Sequence, residues 1–314
     1  MRRGYFNWKL ALVLVLAVVV VAATAVGLRQ YQKTGRAAAA LKVGNAAYEQ
    51  GDWDEAASNL GRYIGLHQED VSALMKYAHA QLRRRPATGG HVQQAIAAYR
   101  NVLRADRSNA EAAQRLCEVY LAPAVASPGE AELIASRYLN DNPGPHPEIR
   151  YLLGAAMARL GRFDQARQEW AAVIEASPGY APAYEAMGRL AEERPADANE
   201  PASHWFDLAV QRDPNSAGAR IARAGFHARQ GRSAEAIADL EAAESKDLSD
   251  YEVRIRLAQQ WLQAGDLGRA RAHLEALAQT SPSEVTLWQT WAELAMRMQS
   301  TEVMGEVADK GMAA

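Results

Sequence analysis

The sequence predicts an all-α fold, a solenoid of about eight helical hairpins preceded by one transmembrane helix. Residues 147–178 contain two apolar stripes with i, i+3, i+4, i+7 spacing, joined by a turn at Gly161 and closed by Pro178. The same pattern returns at intervals of 34 to 39 residues. A charge-free apolar run also occupies residues 10–28. A repeat of this length indicates hairpins that bury their apolar faces against their neighbours.

Each hairpin is expected to place small residues where its two helices cross, because a large side chain would hold the helices apart. In residues 147–178, the first stripe contains Leu153 and Gly154, with Arg150 as a polar exception, and the second contains Ala166. At Gly161 the chain is expected to end the first helix in a left-handed conformation. The predicted packing positions are Gly44, Ala56, Ala78, Ala95, Gly154, Ala166, Gly188, Ala202, Ala236, Ala258 and Ala270.

The repeats divide the chain after an amino-terminal segment. We expect a basic and aromatic flank at 1–9, the membrane helix at 10–28, a basic linker at 29–36 and the repeats at 37–314, the last of them incomplete or continued in a longer protein. Pro143–Pro147 predicts either a hinge or an ordinary turn between repeats. The repeats start near residues 37, 71, 110, 147, 181, 217, 251 and 285.

These hairpins resemble the tetratricopeptide repeat (TPR) family, whose unit is a helical hairpin of about 34 residues. The segment LKVGNAAYEQGDWDEAASNLGRYI, residues 41–64, matches best, and Asp52 or Asp54 is expected to cap its second helix. The resemblance implies a right-handed solenoid with a concave groove lined by the first helices, and a non-catalytic scaffold that binds other proteins. The architecture looks like membrane-anchored bacterial TPR proteins used in envelope assembly or secretion.

By the register of this resemblance, mostly basic side chains face the groove. A basic groove favours an acidic or extended peptide segment, whereas the alternative is that these side chains only solvate exposed helix faces. Some family members grip a terminal carboxylate with five side chains; Asn45 and Arg115 match that clamp, and Leu41, Lys76 and Glu111 depart from it. The candidate groove residues are Lys42, Asn45, Lys76, His79, Arg83, Arg115, Arg159, Arg189, Arg229 and Arg256.

Residues 10–28 are long enough to cross a bilayer, since nineteen residues at about 1.5 Å each span about 28 Å. Trp8 and Tyr31 flank the run, where aromatic rings favour the membrane interface. The alternative is a signal peptide cleaved near Ala25, which leaves a soluble exported protein. Basic residues lie on both sides of the run, and we expect the amino terminus in the cytoplasm and the repeats outside it.

The charge distribution argues against nucleic acid as a partner. The formal charge is −2, but the first 36 residues carry six basic and no acidic residues. The repeats are therefore acidic overall, whereas binding to phosphates needs a basic surface. The expected partners are other proteins and, through residues 10–28, a membrane.

The sequence contains no recognisable catalytic, cofactor or metal motif. The seven histidines are dispersed, and there is neither HExxH nor CxxC nor a glycine-rich phosphate loop. The single cysteine, Cys117, takes a small-residue packing position rather than that of a reactive thiol. We therefore expect no enzyme activity and no cofactor. A different possibility is a non-catalytic accessory part of a larger enzyme that continues past Ala314.

Overall fold

The computed structural model describes residues 8–85, 88–282 and 284–313. Within these ranges no side chain is described for residues 8–15, 18–23, 25–28, 30–31 and 312–313. The described residues form sixteen α-helices and one short 3₁₀ helix and contain no β-strand. The prediction of an all-helical chain of hairpins is confirmed.

The chain divides into two compact units, residues Met1–Asp106 and Arg107–Ala314, called unit 1 and unit 2. The helices of unit 1 are α1 (Trp8–Gln50), α2 (Trp53–Ile64), α3 (Val71–Arg83) and α4 (Gly89–Ala105). Successive helices pack against each other, and α1 also contacts α3. This is the arrangement of two stacked hairpins.

Unit 2 continues the alternation over twelve α-helices. They are α5 (Ala110–Leu121), α6 (Pro128–Asp141), α7 (Pro147–Arg159), α8 (Phe163–Ala176), α9 (Ala181–Glu193), α10 (Ala202–Arg212), α11 (Ala217–Arg229), α12 (Ser233–Glu244), α13 (Tyr251–Ala264), α14 (Leu267–Thr280), α15 (Val285–Met298) and α16 (Thr301–Ala313). A 3₁₀ turn, Pro195–Asp197, follows α9. The odd-numbered helices also contact each other in series from α5 to α15, so the first helices of the hairpins form one surface.

Helix α1 runs without a break through residues 29–36, the segment predicted as a basic linker. Among the residues that the structure describes, no helix is both long and apolar enough to cross a membrane. Most side chains of the predicted span, residues 10–28, lie outside the described residues.

The hairpin turns follow from local chemistry. Asp52 caps α2, since its carboxylate accepts a hydrogen bond from the Glu55 backbone N–H at 3.0 Å. Gly161 has a φ of 76°, a left-handed conformation that glycine adopts without steric cost. The stretch Pro143–Pro147 joins α6 and α7, which pack against each other within unit 2.

The first helices lie close to their partners because glycine occupies the crossing points. A Cβ at Gly154 would lie 2.7 Å from Cδ1 of Trp170, and one at Gly188 would lie 3.0 Å from the Phe206 ring. Ile149 is the buried apolar residue at the start of α7, while its neighbour Arg150 pairs with Glu169 on α8. All eleven small residues named above as packing positions are buried: Gly44, Ala56, Ala78, Ala95, Gly154, Ala166, Gly188, Ala202, Ala236, Ala258 and Ala270.

The last hairpin is packed differently. Among the described side chains of α16, Val303 is buried and joins the core around Trp291, whereas Met304 is exposed. Gly311 lies against Trp288, whose ring stacks on that of Trp291 with 5.5 Å between centroids. Helix α16 therefore covers the aromatic face of α15.

Candidate functional site

In unit 1, three of the candidate groove residues come together. The Lys76 ammonium donates hydrogen bonds to Asn45 Oδ1 at 3.0 Å and to Glu49 Oε1 at 3.4 Å, and lies 5.3 Å from the centre of the Tyr48 ring. The Tyr48 hydroxyl and His79 Nδ1 are 2.9 Å apart. Lys76 is thus held by side chains of the same surface.

The two other candidates of unit 1 lie on the same helices as this cluster. Lys42 is exposed on α1, and Arg83 is half-buried at the end of α3. The two residues that match the carboxylate clamp, Asn45 and Arg115, belong to different units. Arg115 is exposed on α5, where it pairs with Glu118 one turn further along at 3.0 Å.

In unit 2, two arginines from different hairpins converge on one carboxylate. Glu185, on α9, accepts hydrogen bonds at Oε2 from Arg189 at 2.9 Å and from Arg256, on α13, at 3.3 Å. The Glu185 side chain is only 6% exposed, whereas those of Arg189 and Arg256 are 54% and 35% exposed. Buried carboxylates need such partners, and Glu185 has them.

A second ion pair lies two turns further along α9. Glu192 accepts hydrogen bonds from Nε and Nη2 of Arg229, on α11, at 2.9 and 2.8 Å. This two-bond contact is the strong geometry for arginine and carboxylate. Arg159, the last candidate, is exposed and donates to the carbonyl oxygen of Leu121.

Between these ion pairs lies a cavity of about 550 Å³, called here the α11 groove. Arg189, Arg229 and Arg256 line it, together with Gln259 and Gln260 of α13. Gly225 of α11 also lines it, and a Cβ there would lie 3.1 Å from Gln260 Oε1 and 3.3 Å from Arg229 Nη1. Glu192 and Glu193 line it as well, so guanidinium, amide and carboxylate groups surround the glycine.

Two tyrosines lie beside the Glu185 ion pairs. The rings of Tyr151 and Tyr180 meet edge to face with 5.8 Å between centroids. Burial raises the pKa of Tyr151; Arg189 is the largest opposing influence, and Glu185 adds to the rise. Both hydroxyls are therefore protonated donors at neutral pH, since burial raises the pKa of Tyr180 as well.

Three of the five arginine candidates of unit 2 that the sequence assigns to the groove, Arg189, Arg229 and Arg256, do line one cavity. The sequence reasoning missed Glu185, Glu192 and Gly225. The i, i+4 spacing of Glu185 and Arg189 was a usable signal. No sequence signal predicted the contact of Glu185 with Arg256, which lies 71 residues away.

Other polar groups of unit 2 form a structural network. Asp239, 5% exposed, accepts two hydrogen bonds of 2.7 Å from Arg223, which also pairs with Asp207.

Cys117 is fully buried, and burial raises the pKa of its thiol to about 12. Among the described residues, no three His, Cys, Asp or Glu side chains are grouped to hold a metal ion.

A family model described as "Tetratricopeptide repeat" matches residues 41–89, 128–182 and 221–285, together more than half of the chain. The chain belongs to the tetratricopeptide repeat family. Repeats of this kind typically expose an extended surface for protein interactions. No curated protein matches the sequence.

Several solved structures are similar to this chain. A TPR protein from Parabacteroides merdae has a TM-score of 0.56 at 16% identity, covering 84% of this chain and 99% of that one. A monomeric mutant of IFIT1 with Gppp-AAAA has a TM-score of 0.52 at 13% identity, covering 83% and 66%. PilW, a type IV pilus biogenesis factor, has a TM-score of 0.48 at 14% identity, covering 69% and 96%. At these identities, the two structures with TM-scores above 0.5 show a shared fold alone.

Proposed function

We propose that this protein is a non-catalytic scaffold that binds an extended segment of another protein in the α11 groove. The observation that carries the proposal is the cavity itself, with three arginines, two glutamines and two glutamates around the bare backbone of Gly225. Its volume of about 550 Å³ falls within the range of binding pockets.

The chemistry of the groove suits a peptide main chain. An extended segment presents N–H and C=O groups that have no partner of their own. Gln259 donates to Thr290 Oγ1 at 3.2 Å and keeps its amide oxygen as an acceptor, while the guanidinium groups supply donors. Gly225 has no side chain, so a bound backbone can approach α11 closely.

The test is site-specific photo-crosslinking in intact cells. A photoreactive residue at Gln260, in the groove, is expected to capture the same partner segment repeatedly, as identified by mass spectrometry. The same residue at Gln211, exposed on α10, is the matched control. Equal capture at both positions would contradict binding in the groove.

A filling substitution tests the same cavity without removing charge. In Gly225→Leu the new side chain meets the flexible ends of Gln260 and Arg229, so the helix can hold it while the groove is blocked. Capture at Gln260 should be lost with circular dichroism unchanged. Gly305→Leu in α16, where nothing lies within 4 Å of a Cβ, is the control.

Membrane tethering through residues 10–28, with the repeats outside the cytoplasm, is also part of the proposal. Its support is the uncharged apolar sequence between basic flanks. The intact chain should remain with membranes on alkaline extraction, and protease added to intact cells should reach the repeats. A mature amino terminus at Val26 would instead establish cleavage, and protection of the repeats would reverse the orientation.

A further inference from the structure

We infer that α1 carries a binding site for anionic phospholipid head groups, formed by Arg29, Lys33 and Arg36, which we call the basic face. This inference rests on the proposed membrane tethering and names the lipid chemistry that meets the chain where it leaves the bilayer. It follows from the continuity of α1, from the exposure of the three side chains on one side of the helix, and from the place where α2 ends.

Helix α1 is unbroken from Trp8 to Gln50, so it joins the apolar run 10–28 directly to the first hairpin. At about 1.5 Å per residue, Arg29, Lys33 and Arg36 lie about 1.5, 7.5 and 12 Å beyond the end of this run. Side chains of a helix lean toward its amino terminus, which is the membrane side under the proposed tethering. The long side chains of Lys and Arg therefore bring their charges close to the head groups, which extend about 5–7 Å beyond the hydrocarbon.

The three cations share one face of α1 and have no partner. Their spacing, i, i+4 and i+7, places them within an arc of about 60° on the helix. All three side chains are exposed, and within the part of the chain that the structure describes none of them has a hydrogen bond or an ion pair. No acidic residue precedes Glu49 in the sequence. Their charge is therefore available to an external anion.

The basic face continues the face by which α1 packs on α2. Ala47, which is buried, lies 18 residues or about five full turns after Arg29. A Cβ at Gly44 would lie 2.9 Å from Leu60 Cγ, and α2 ends only four residues after Leu60. In an antiparallel hairpin α2 thus ends about four residues before Gly44, and beyond that point α1 continues alone. The same face changes there from buried small residues to exposed cations.

The turn after α2, at the same end of the hairpin, leaves this charge in place. Asp70 already accepts hydrogen bonds from the Tyr63 hydroxyl at 2.9 Å and from the Ala73 backbone N–H at 3.0 Å. Glu69 is exposed and forms no ion pair with another described residue. The turn also carries Leu66, which is 52% exposed. This end of the hairpin therefore presents an apolar side chain beside the three cations.

Phospholipid phosphates suit such a face. A guanidinium donates two parallel hydrogen bonds to phosphate oxygens, and an ammonium group adds a compact charge. Basic residues next to a membrane span are attracted to a surface with net negative charge. Phosphatidylcholine has no net charge, so the basic face should prefer an anionic lipid such as phosphatidylglycerol.

The test uses the full chain reconstituted in phosphatidylcholine vesicles. A fluorophore is attached at Gln32→Cys, exposed beside the basic face, and the native Cys117 is buried and does not take the label. Phosphatidylglycerol or phosphatidylcholine with a nitroxide near the head-group end of its acyl chain is then added at equal mole fraction. The ratio of quenching by the two lipids measures the local preference, and it is independent of orientation because both leaflets contain the quencher.

The expected result is a preference for phosphatidylglycerol of about fivefold at low ionic strength, which decreases as salt is added. Replacing all three cations, with Arg29→Gln, Lys33→Gln and Arg36→Gln, should abolish the preference. Lys42→Gln is the matched control. Lys42 is an exposed cation of the same helix, but it lies nine residues after Lys33 and therefore on the opposite face.

Equal quenching by the two lipids would overturn the head-group site and leave the membrane tether in place. Quenching by neither lipid, with the chain lost on alkaline extraction, would overturn the tether and the site together. An equal loss of preference in Lys42→Gln and in the triple variant would show general attraction to a charged helix, which also overturns the site. Unchanged circular dichroism and melting temperatures of the variants exclude unfolding as the cause.

Discussion

The first helices of unit 1 and unit 2 both present cations, but the cations are in different states. In unit 1, Lys76 donates to Asn45 and Glu49 and lies over the Tyr48 ring. In unit 2, Arg189 and Arg256 share one buried carboxylate and remain partly exposed along a groove. Neighbouring side chains occupy the Lys76 ammonium group, whereas the two guanidinium groups still have N–H donors for a ligand.

The difference shows that the position of a cation in the repeat does not determine whether its hydrogen-bond donors are free to bind a ligand. An ammonium group is a compact charge with three donors, and two hydrogen bonds and a ring occupy most of it. A guanidinium has five donors in a rigid plane, so one shared carboxylate leaves most of them unused. The sequence assigns Lys76 and Arg256 to the same surface. Lys76, 30% exposed, donates to two side chains, whereas Arg256, 35% exposed, donates to one and lines the α11 groove.

The comparison assumes that the two units are packed alike, and the largest expected effect tests this assumption. Ala56 in unit 1 and Ala166 in unit 2 are both fully buried at the crossing of a hairpin. Ala56→Leu and Ala166→Leu should each lower the free energy of unfolding by about 1–3 kcal/mol through overpacking. Urea unfolding measures this as a lower midpoint at unchanged slope.

Ala171→Leu is the control for this pair, since Ala171 is exposed on α8 and its substitution should change stability by no more than about 0.5 kcal/mol. A neutral Ala166→Leu would contradict the helix register that places Arg159 and Arg189 on the first helices. If only one of the two buried substitutions destabilises the protein, the units differ in packing as well as in charge.

A smaller effect tests the difference in charge directly. Lys76→Gln should change the affinity for a short acidic peptide by less than about twofold, because Asn45 and Glu49 already occupy the Lys76 ammonium group. Arg256→Gln should weaken the same binding by about tenfold. Anisotropy titrations of the two variants side by side give the ratio. A loss in Lys76→Gln as large as that in Arg256→Gln would place the peptide on unit 1 and remove the distinction.

The sequence was sufficient for what depends on local pattern. Gly161 at a left-handed turn, Asp52 as a helix cap and the alternation of helices and turns follow from spacing and from side-chain chemistry within a few residues. Apolar periodicity identifies the hairpins for the same reason, since one face of each helix must be buried.

What the sequence could not supply depends on three-dimensional contacts. The sequence suggests that Glu185 is an exposed acid one turn from Arg189. Glu185 is buried and contacts Arg256 only because α9, α11 and α13 stack on each other. A glycine inside a helix predicts only a loss of helix stability. That Gly225 lines the groove becomes evident only when Gln260 of the neighbouring helix is in place. In α16, Val303 rather than Met304 is buried, because Val303 is on the side of the helix that packs on the tryptophans of α15.

The smallest expected effect is a pH dependence confined to unit 2. His227, on α11, has its pKa lowered from 6.5, mainly by burial and then by Arg232 and Arg223, against the opposing influence of Asp239 and Asp207. The folded state therefore binds fewer protons than the unfolded state just below pH 6.5. The stability that neutral His227 contributes is present above pH 6.5 and is lost as the pH falls through the lowered value.

Hydrogen exchange measured from above pH 6.5 down to about pH 5, where most carboxylates are still ionised, separates the two units. After correction for the intrinsic exchange rate, protection of α11 and α12 should decrease with acid in the native protein and stay level in His227→Gln. Protection of α2 in unit 1, a helix without histidine, serves as the internal reference in both. An equal decrease in α2 and α11 that persists in His227→Gln would show that another group controls the response. If protection decreases only in unit 2 and the substitution removes the decrease, the two units differ in the pH dependence of their stability as well as in their ligand-binding surfaces.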